Sequence, residues 1–213
     1  MNRLSRLKRA LDTLYEARRD LYEKTGRLTQ EELEFKPAPD RWSVGEVMDH
    51  IIKAESTFVR DLRKKILTFG EEPERDNLFS QILRPFIFTG MRHGSSLIKF
   101  EAQEEIRPVH GYPHLYLIFK LGQVRDATLD VAERLARREE PVYMHDPRVG
   151  AVYSGEDWLY LTGLHEMRHV GQVERIIAAM EEAKGRGELG HPRLNGTAHT
   201  APKQVTSARE VAL

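Results

Sequence analysis

Cysteine is absent from all 213 residues. That absence removes disulfides, thiolate nucleophiles and Cys-ligated zinc, so any metal must be held by histidine, carboxylate or backbone oxygen. An excess of either charge is missing as well, since 33 Lys and Arg stand against 33 Asp and Glu. Without a basic field the chain has no general attraction for nucleic acid or anionic lipid, and neither is expected as a partner. No run approaches the ~18 consecutive apolar residues that a membrane helix requires. Residues 1–9 alternate leucine with arginine and lysine where a signal peptide would carry an apolar core. The expectation is a cytoplasmic protein.

What is present is helical patterning. Charged residues make up 31% and apolar residues 40%, a balance that suits a soluble, helix-rich globular chain. Leu4, Leu7, Leu11, Leu14 and Leu21 recur in steps of three and four, interrupted by Arg18, and predict a first helix over about 2–25 ending at Gly26. Thr29 and Glu32 have capping-box spacing and open a short helix that stops before Pro37. Ser43 and Glu46 have the same spacing at the start of a second long helix, whose apolar face is Val44, Val47, Ile51, Ala54, Phe58, Leu62 and Ile66. His50 falls on that face. Glu46, one turn earlier, is either simply a cap or a carboxylate behind His50.

Residues 68–112 are the least regular part. The stretch 78–88 is apolar, but Arg84-Pro85 argues against one clean helix there. Phe79, Ile82, Leu83, Phe86, Ile87 and Phe88 exceed what four helices would cover, which predicts a homodimer. His93 and His110 lie outside any periodic stripe and are expected at the surface. Pro113 suits the first position of a third long helix reaching about Arg138 and lined by His114, Leu117, Leu121, Val124, Thr128, Val131 and Leu135. His114 is therefore placed to face a site. Residues 143–153 read as a loop, and no alternating strand is evident. The last long helix spans 154–184, beyond which Gly, Pro, Thr and Ala without periodicity read as a tail. The expectation is an all-α four-helix bundle over 1–184 and a tail over 185–213 that is flexible or held by a partner.

The final helix carries the chemistry. One stripe runs Trp158, Leu161, His165, His169, Gln172, Ile176, Met180, apolar at both ends and polar in the middle. Polar groups left unpaired on a core-facing stripe cost about 1–3 kcal/mol each. Two imidazoles spaced i and i+4 lean about 40° apart around the helix and can reach one ion. A lone H-x-x-x-H is also consistent with two hydrogen-bonded or exposed histidines. His50, on the core face of a facing helix, supplies a third candidate ligand. Three neutral imidazoles leave an ion with an open position, the arrangement of catalytic zinc, and nickel, zinc and iron(II) all suit imidazole.

Three segments, Arg41-Trp42-Ser43-Val44-Gly45-Glu46-Val47-Met48-Asp49-His50, Asp146-Pro147-Arg148-Val149-Gly150, and Trp158 through His165-Glu166-Met167-Arg168-His169 to Gln172, resemble the DinB/YfiT-like superfamily. The resemblance implies a four-helix bundle, commonly a homodimer, with a divalent metal on His50, His165 and His169. It also implies, for some members, transfer or isomerisation that uses a low-molecular-weight thiol as cosubstrate.

Around that centre, Gln172 is placed to hold a ligand ring or a bound water. Arg168 is placed either to meet an anionic small-molecule substrate or to pair with Glu166 or Glu46. His165-Glu166-x-x-His169 also spells H-E-x-x-H, in which Glu166 would be the general base of a peptidase. Glu188 is a poor third ligand for that reading, and no strand is available to hold a peptide. The expected activity is metal-dependent thiol S-transfer or hydrolysis of a small molecule, with Glu166, Arg168 and Gln172 as candidate catalytic residues. The alternative is a non-catalytic, metal-stabilised binding or stress-related module.

Overall fold

Asn2 starts the first helix by accepting the Ser5 backbone N–H on its side-chain oxygen at 2.8 Å, and α1 then runs Arg3–Thr25. The computed structural model describes residues 2–67, 76–92 and 104–188. The Thr29–Glu32 capping box opens α2, Gln30–Glu34. Ser43 and Glu46 cap α3, Val44–Leu67, reciprocally: the Glu46 N–H donates to Ser43 Oγ at 3.2 Å and the Ser43 N–H to Glu46 Oε2 at 2.8 Å. Further along come α4 (Leu78–Arg92), a single 3-10 turn (Glu104–Ile106) and α5 (His114–Ala136). A hairpin of β1 (Tyr143–Asp146) and β2 (Ala151–Ser154) then leads into α6, Gly155–Gly185, which has its own capping box at Ser154 and Asp157. Among the described residues the architecture is all-α apart from that hairpin, and no helix is long and apolar enough to cross a membrane.

Two expectations are corrected. Residues 78–92 form one helix despite Pro85, which leaves the Gln81 carbonyl without its usual donor. Tertiary anchoring outweighs that loss. Arg84 Nη1 donates to Asp157 Oδ2 at 2.9 Å, Arg84 Nη2 pairs with Asp76, and Ile87 and Phe88 pack toward Ala151 and Tyr153. Residues 143–153, read as a loop, instead lie in an antiparallel hairpin that pairs Tyr143 with Ser154. All four residues of β2 are buried, so the two-residue alternation that marks a half-exposed strand never appears in the sequence. Gly150 closes the turn at φ 68°, with its N–H donating to the Asp146 carbonyl at 2.8 Å.

The four long helices bury two apolar clusters. One holds Leu7, Leu14, Val59, Leu62, Val131, Leu135, Leu159 and Leu164; the other holds Leu21, Val47, Ile51, Leu117, Leu121, Val170, Val173 and Ile176. Between them every long helix contributes a polar side chain: Arg18 from α1, Glu55 from α3, Arg125 and Thr128 from α5, and Glu166 from α6. Arg18 Nε donates to Glu166 Oε1 at 2.5 Å and Arg18 Nη2 to Glu55 Oε2 at 2.7 Å. Arg125 Nε donates to Glu55 Oε1 at 2.9 Å, its Nη2 reaches Glu166 Oε2, and the Thr128 hydroxyl donates to Glu55 Oε1 at 2.6 Å. Two cations and two anions thus cancel within a buried layer, and the remaining guanidinium N–H groups reach the Leu121 and Leu14 carbonyls. Burial works against the Glu55 carboxylate, yet Arg125 and Arg18 hold it below the ordinary carboxylate range.

Close approach of α1 to α6 depends on Gly163. A Cβ there would come within 2.9 Å of Thr13 Cγ2 and 3.1 Å of the Leu14 nitrogen. Those contacts fix how near the two backbones lie, and hence where the middle of α6 sits.

Candidate metal centre

The layer at Glu166 decides which way α6 turns. The helix's most buried line runs Leu159, Gly163, Glu166, Val170 and Val173, while His165, His169 and Gln172 lie beside it, half-buried. The histidine stripe is therefore the margin of the core and not its centre, as the sequence pattern had suggested. From that margin His165 and His169 face His50, which is buried on α3.

The three rings converge through one kind of atom. His165 Nε2 lies 3.3 Å from His50 Nε2 and 3.1 Å from His169 Nε2, and one nitrogen from each residue falls within 4.8 Å of the others. A tetrahedral ion with ligands at about 2.0–2.1 Å separates neighbouring nitrogens by about 3.3–3.4 Å, close to the spacing found. Among the described residues no other group of three such ligands comes together.

Hydrogen bonds at the far side of the rings assign the tautomers. His50 Nδ1 lies 2.8 Å from the Ile106 carbonyl oxygen, and His169 Nδ1 lies 2.9 Å from Gln172 Oε1. Both partners accept, so both Nδ1 atoms carry the proton and both Nε2 atoms present lone pairs inward. His165 has at most one proton to offer between them. At least one inward lone pair is left without a donor, a deficit that a cation satisfies. Burial pushes all three imidazoles down: His50 below its ordinary value, His165 well below it, and His169 to about 4. His169 and His50 push His165 down further, with smaller effects from Arg148 and Arg168. Three neutral imidazoles are the protonation state in which they ligate a metal.

A strap holds His50 in place. The 3-10 turn brings Ile106 over the ring, while Asp49 Oδ2 accepts the Val109 N–H at 2.8 Å and Lys53 Nζ donates to the Arg107 carbonyl at 2.8 Å. Trp42 closes another side, its ring centroid 5.0 Å from that of His50 and 6.5 Å from that of His169. The strap and the aromatic wall thus hold the His50 ring from two sides.

The family model of the DinB superfamily matches residues 13–173, a span that contains all three histidines. The chain belongs to the DinB superfamily. A curated relative, "Uncharacterized protein YuaE" of Bacillus subtilis (strain 168), is 25% identical over 170 residues, covering 79% of this chain and 97% of that protein. No solved structure matches. Within this DinB-superfamily chain a three-histidine cluster able to hold a metal ion is thus established, while the relative's name gives no activity.

Other sequence-derived candidates fall elsewhere. Glu166 is turned away from the histidines, with both carboxylate oxygens taken by Arg18 and Arg125, so it is not presented as a general base. An Arg168 pair with Glu166 was one of two alternatives for Arg168, and the Glu166 oxygens go to the two buried arginines. Arg168 contributes positive charge beside His165 and His169. Glu46 serves as a helix cap and partner of Lys36 at 2.8 Å, with His110 Nδ1 at 3.8 Å. His114 stands outside the cluster, at the start of α5, where its N–H donates to Gln30 Oε1 at 3.0 Å. His110 is exposed, and His93 lies outside the described residues.

Sequence reasoning missed the strap and the buried layer. Arg18 had signalled the layer by interrupting the leucines of α1. The strap residues Asp49, Lys53 and Ile106 carry no pattern that would announce them.

Proposed function

We propose that His50, His165 and His169 hold one divalent ion per chain, and that the protein acts on a small molecule there, as a thiol S-transferase or a hydrolase. The observation that supports this most directly is the convergence of three Nε2 atoms with two tautomers set from behind by Ile106 and Gln172. An ion with an open position supplies Lewis acidity, which lowers the pKa of a water or a thiol enough to give a nucleophile near neutral pH. The chain's own groups do the rest. Gln172 keeps the His169 ring oriented, the strap keeps His50 oriented, and Trp42 excludes water from one side. Arg168 adds positive charge beside His165 and His169, which favours a substrate bearing an anionic group. No cysteine is available as a nucleophile, so a cosubstrate thiol or water must provide it.

Zinc, nickel and iron(II) all suit this donor set. A homodimer is part of the same proposal, supported by the exposed apolar face of α4, where Leu78, Phe79, Ile82 and Phe86 are 58–70% exposed. Turnover assays of the metal-loaded protein against electrophiles and esters, with and without low-molecular-weight thiols, test the function. Thiol-dependent turnover lost in His165→Ala supports transfer, and thiol-independent turnover lost in the same variant supports hydrolysis. No turnover across the panel, with a melting temperature that drops on metal removal, would replace both with a metal-stabilised binding module.

A further inference from the structure

Arg6 and Arg9 stand three residues apart on α1 and both line a cleft of about 980 Å3 bounded by α4 and the first turns of α6. Arg84 and Arg92 of α4 line the same cleft. Two carboxylates, Asp76 and Asp157, are there as well, and Arg84 takes both of them. That leaves Arg6, Arg9 and Arg92 without a carboxylate partner among the described residues. The Nε atoms of Arg6 and Arg9 are buried and have no acceptor within the protein. Guanidinium groups that line a cleft without a carboxylate partner favour an oxyanion in it.

The cleft also has an apolar wall. The Arg9 guanidinium carbon lies 4.1 Å from the Tyr160 ring centroid and 5.8 Å from that of Phe88, so its fork is held against aromatic faces. The volume is that of a small-molecule site. Four arginines against two carboxylates leave the cleft at net +2, the charge a phosphate dianion neutralises, and Phe88 and Pro85 offer apolar surface to an organic part attached to it. We propose that this cleft binds a small organic phosphate, its phosphate held by Arg6, Arg9 and Arg92 and its organic part against Phe88 and Pro85. No residue is shared with the histidine centre, so this is a second site.

Isothermal titration of the full, metal-stripped chain at low salt tests the site, with AMP as probe and inorganic phosphate and adenosine as controls. Stripping the metal keeps phosphate from ligating an ion at the histidines. The expected result is saturable binding of AMP with one site per chain, at least tenfold tighter than inorganic phosphate or adenosine and weakened by added salt. Binding should fall at least tenfold in the Arg6→Gln, Arg92→Gln double variant and stay unchanged in His165→Ala. Thr89→Glu, which puts a carboxylate on an exposed position of the cleft wall, should also abolish binding by pairing with the arginines. If the arginine variant fails to fold, Thr89→Glu decides alone. Absence of AMP binding at millimolar concentration, equal binding of either control, retention in either cleft variant, or loss in His165→Ala would each overturn the proposal.

Discussion

Arg18 donates to Glu166 at 2.5 Å across the middle of the bundle, and Glu166 is the immediate neighbour of His165 on α6. One residue of α6 is thus locked into a buried charge layer while the residue before it reaches the histidine cluster. The layer ties all four long helices together and sets the rotation of the helix that carries two of the three clustered histidines. An apolar layer would have filled the same space without specifying that rotation.

Breaking the layer should therefore be costly. Arg125→Met leaves Glu55 and Glu166 sharing one cation, and removing one partner of a buried pair costs about 3–5 kcal/mol. Urea unfolding of the metal-free protein measures it. A loss under about 1 kcal/mol would show that the layer is not the buried, paired structure described.

Two glycines give opposite expectations. Gly163→Ala forces a Cβ against Thr13 and Leu14 and should destabilise by about 1–3 kcal/mol. Gly122→Ala, inside α5 with nothing within 4 Å of the added carbon, should stabilise by up to about 1 kcal/mol. Thermal melts of both variants check the pair, and equal effects would contradict the close α1–α6 approach.

Acid should weaken the metal-free fold early. Folding lowers the affinity of all three site histidines for protons, so the unfolded chain, with histidines near about 6.5, takes up protons first. Their contribution is fully present above about pH 6.5 and is lost as pH falls toward the folded values, about 4 for His169. By pH 5 the loss at His169 alone amounts to about 2 kcal/mol. Urea midpoints between pH 7.5 and 5 follow it, and His169→Phe should flatten the slope.

Gln172 is expected to act through His169. Gln172→Ala removes the acceptor behind Nδ1 and should lower metal affinity about 10–100-fold, while Gln172→Glu, which keeps an acceptor there, should restore most of it. Competition with a metal-sensitive dye reads both. Unchanged affinity in the alanine variant would remove Gln172 from the centre.

Much of this was legible in the chain. Capping pairs at Thr29/Glu32, Ser43/Glu46 and Ser154/Asp157 mark helix starts because an orphan N–H needs a nearby oxygen, a local rule. The histidines on α3 and α6 stood out because imidazoles interrupt apolar faces. What stayed hidden depends on distant partners. The Pro85 helix survives through Arg84 contacts to Asp76 and Asp157, and the β2 strand is covered on both faces. Glu166 looked like part of H-E-x-x-H until its partners, Arg18 and Arg125, came from two other helices.

Metal stoichiometry tests the central claim most directly. The purified chain is stripped, incubated separately with zinc, nickel and iron(II), desalted and analysed by inductively coupled plasma mass spectrometry beside its His50→Ala, His169→Ala double variant. The account predicts one tightly held ion per wild-type chain for at least one of these metals and none in the variant. Stoichiometric metal in the double variant, or none in the wild type with any of the three, would contradict it.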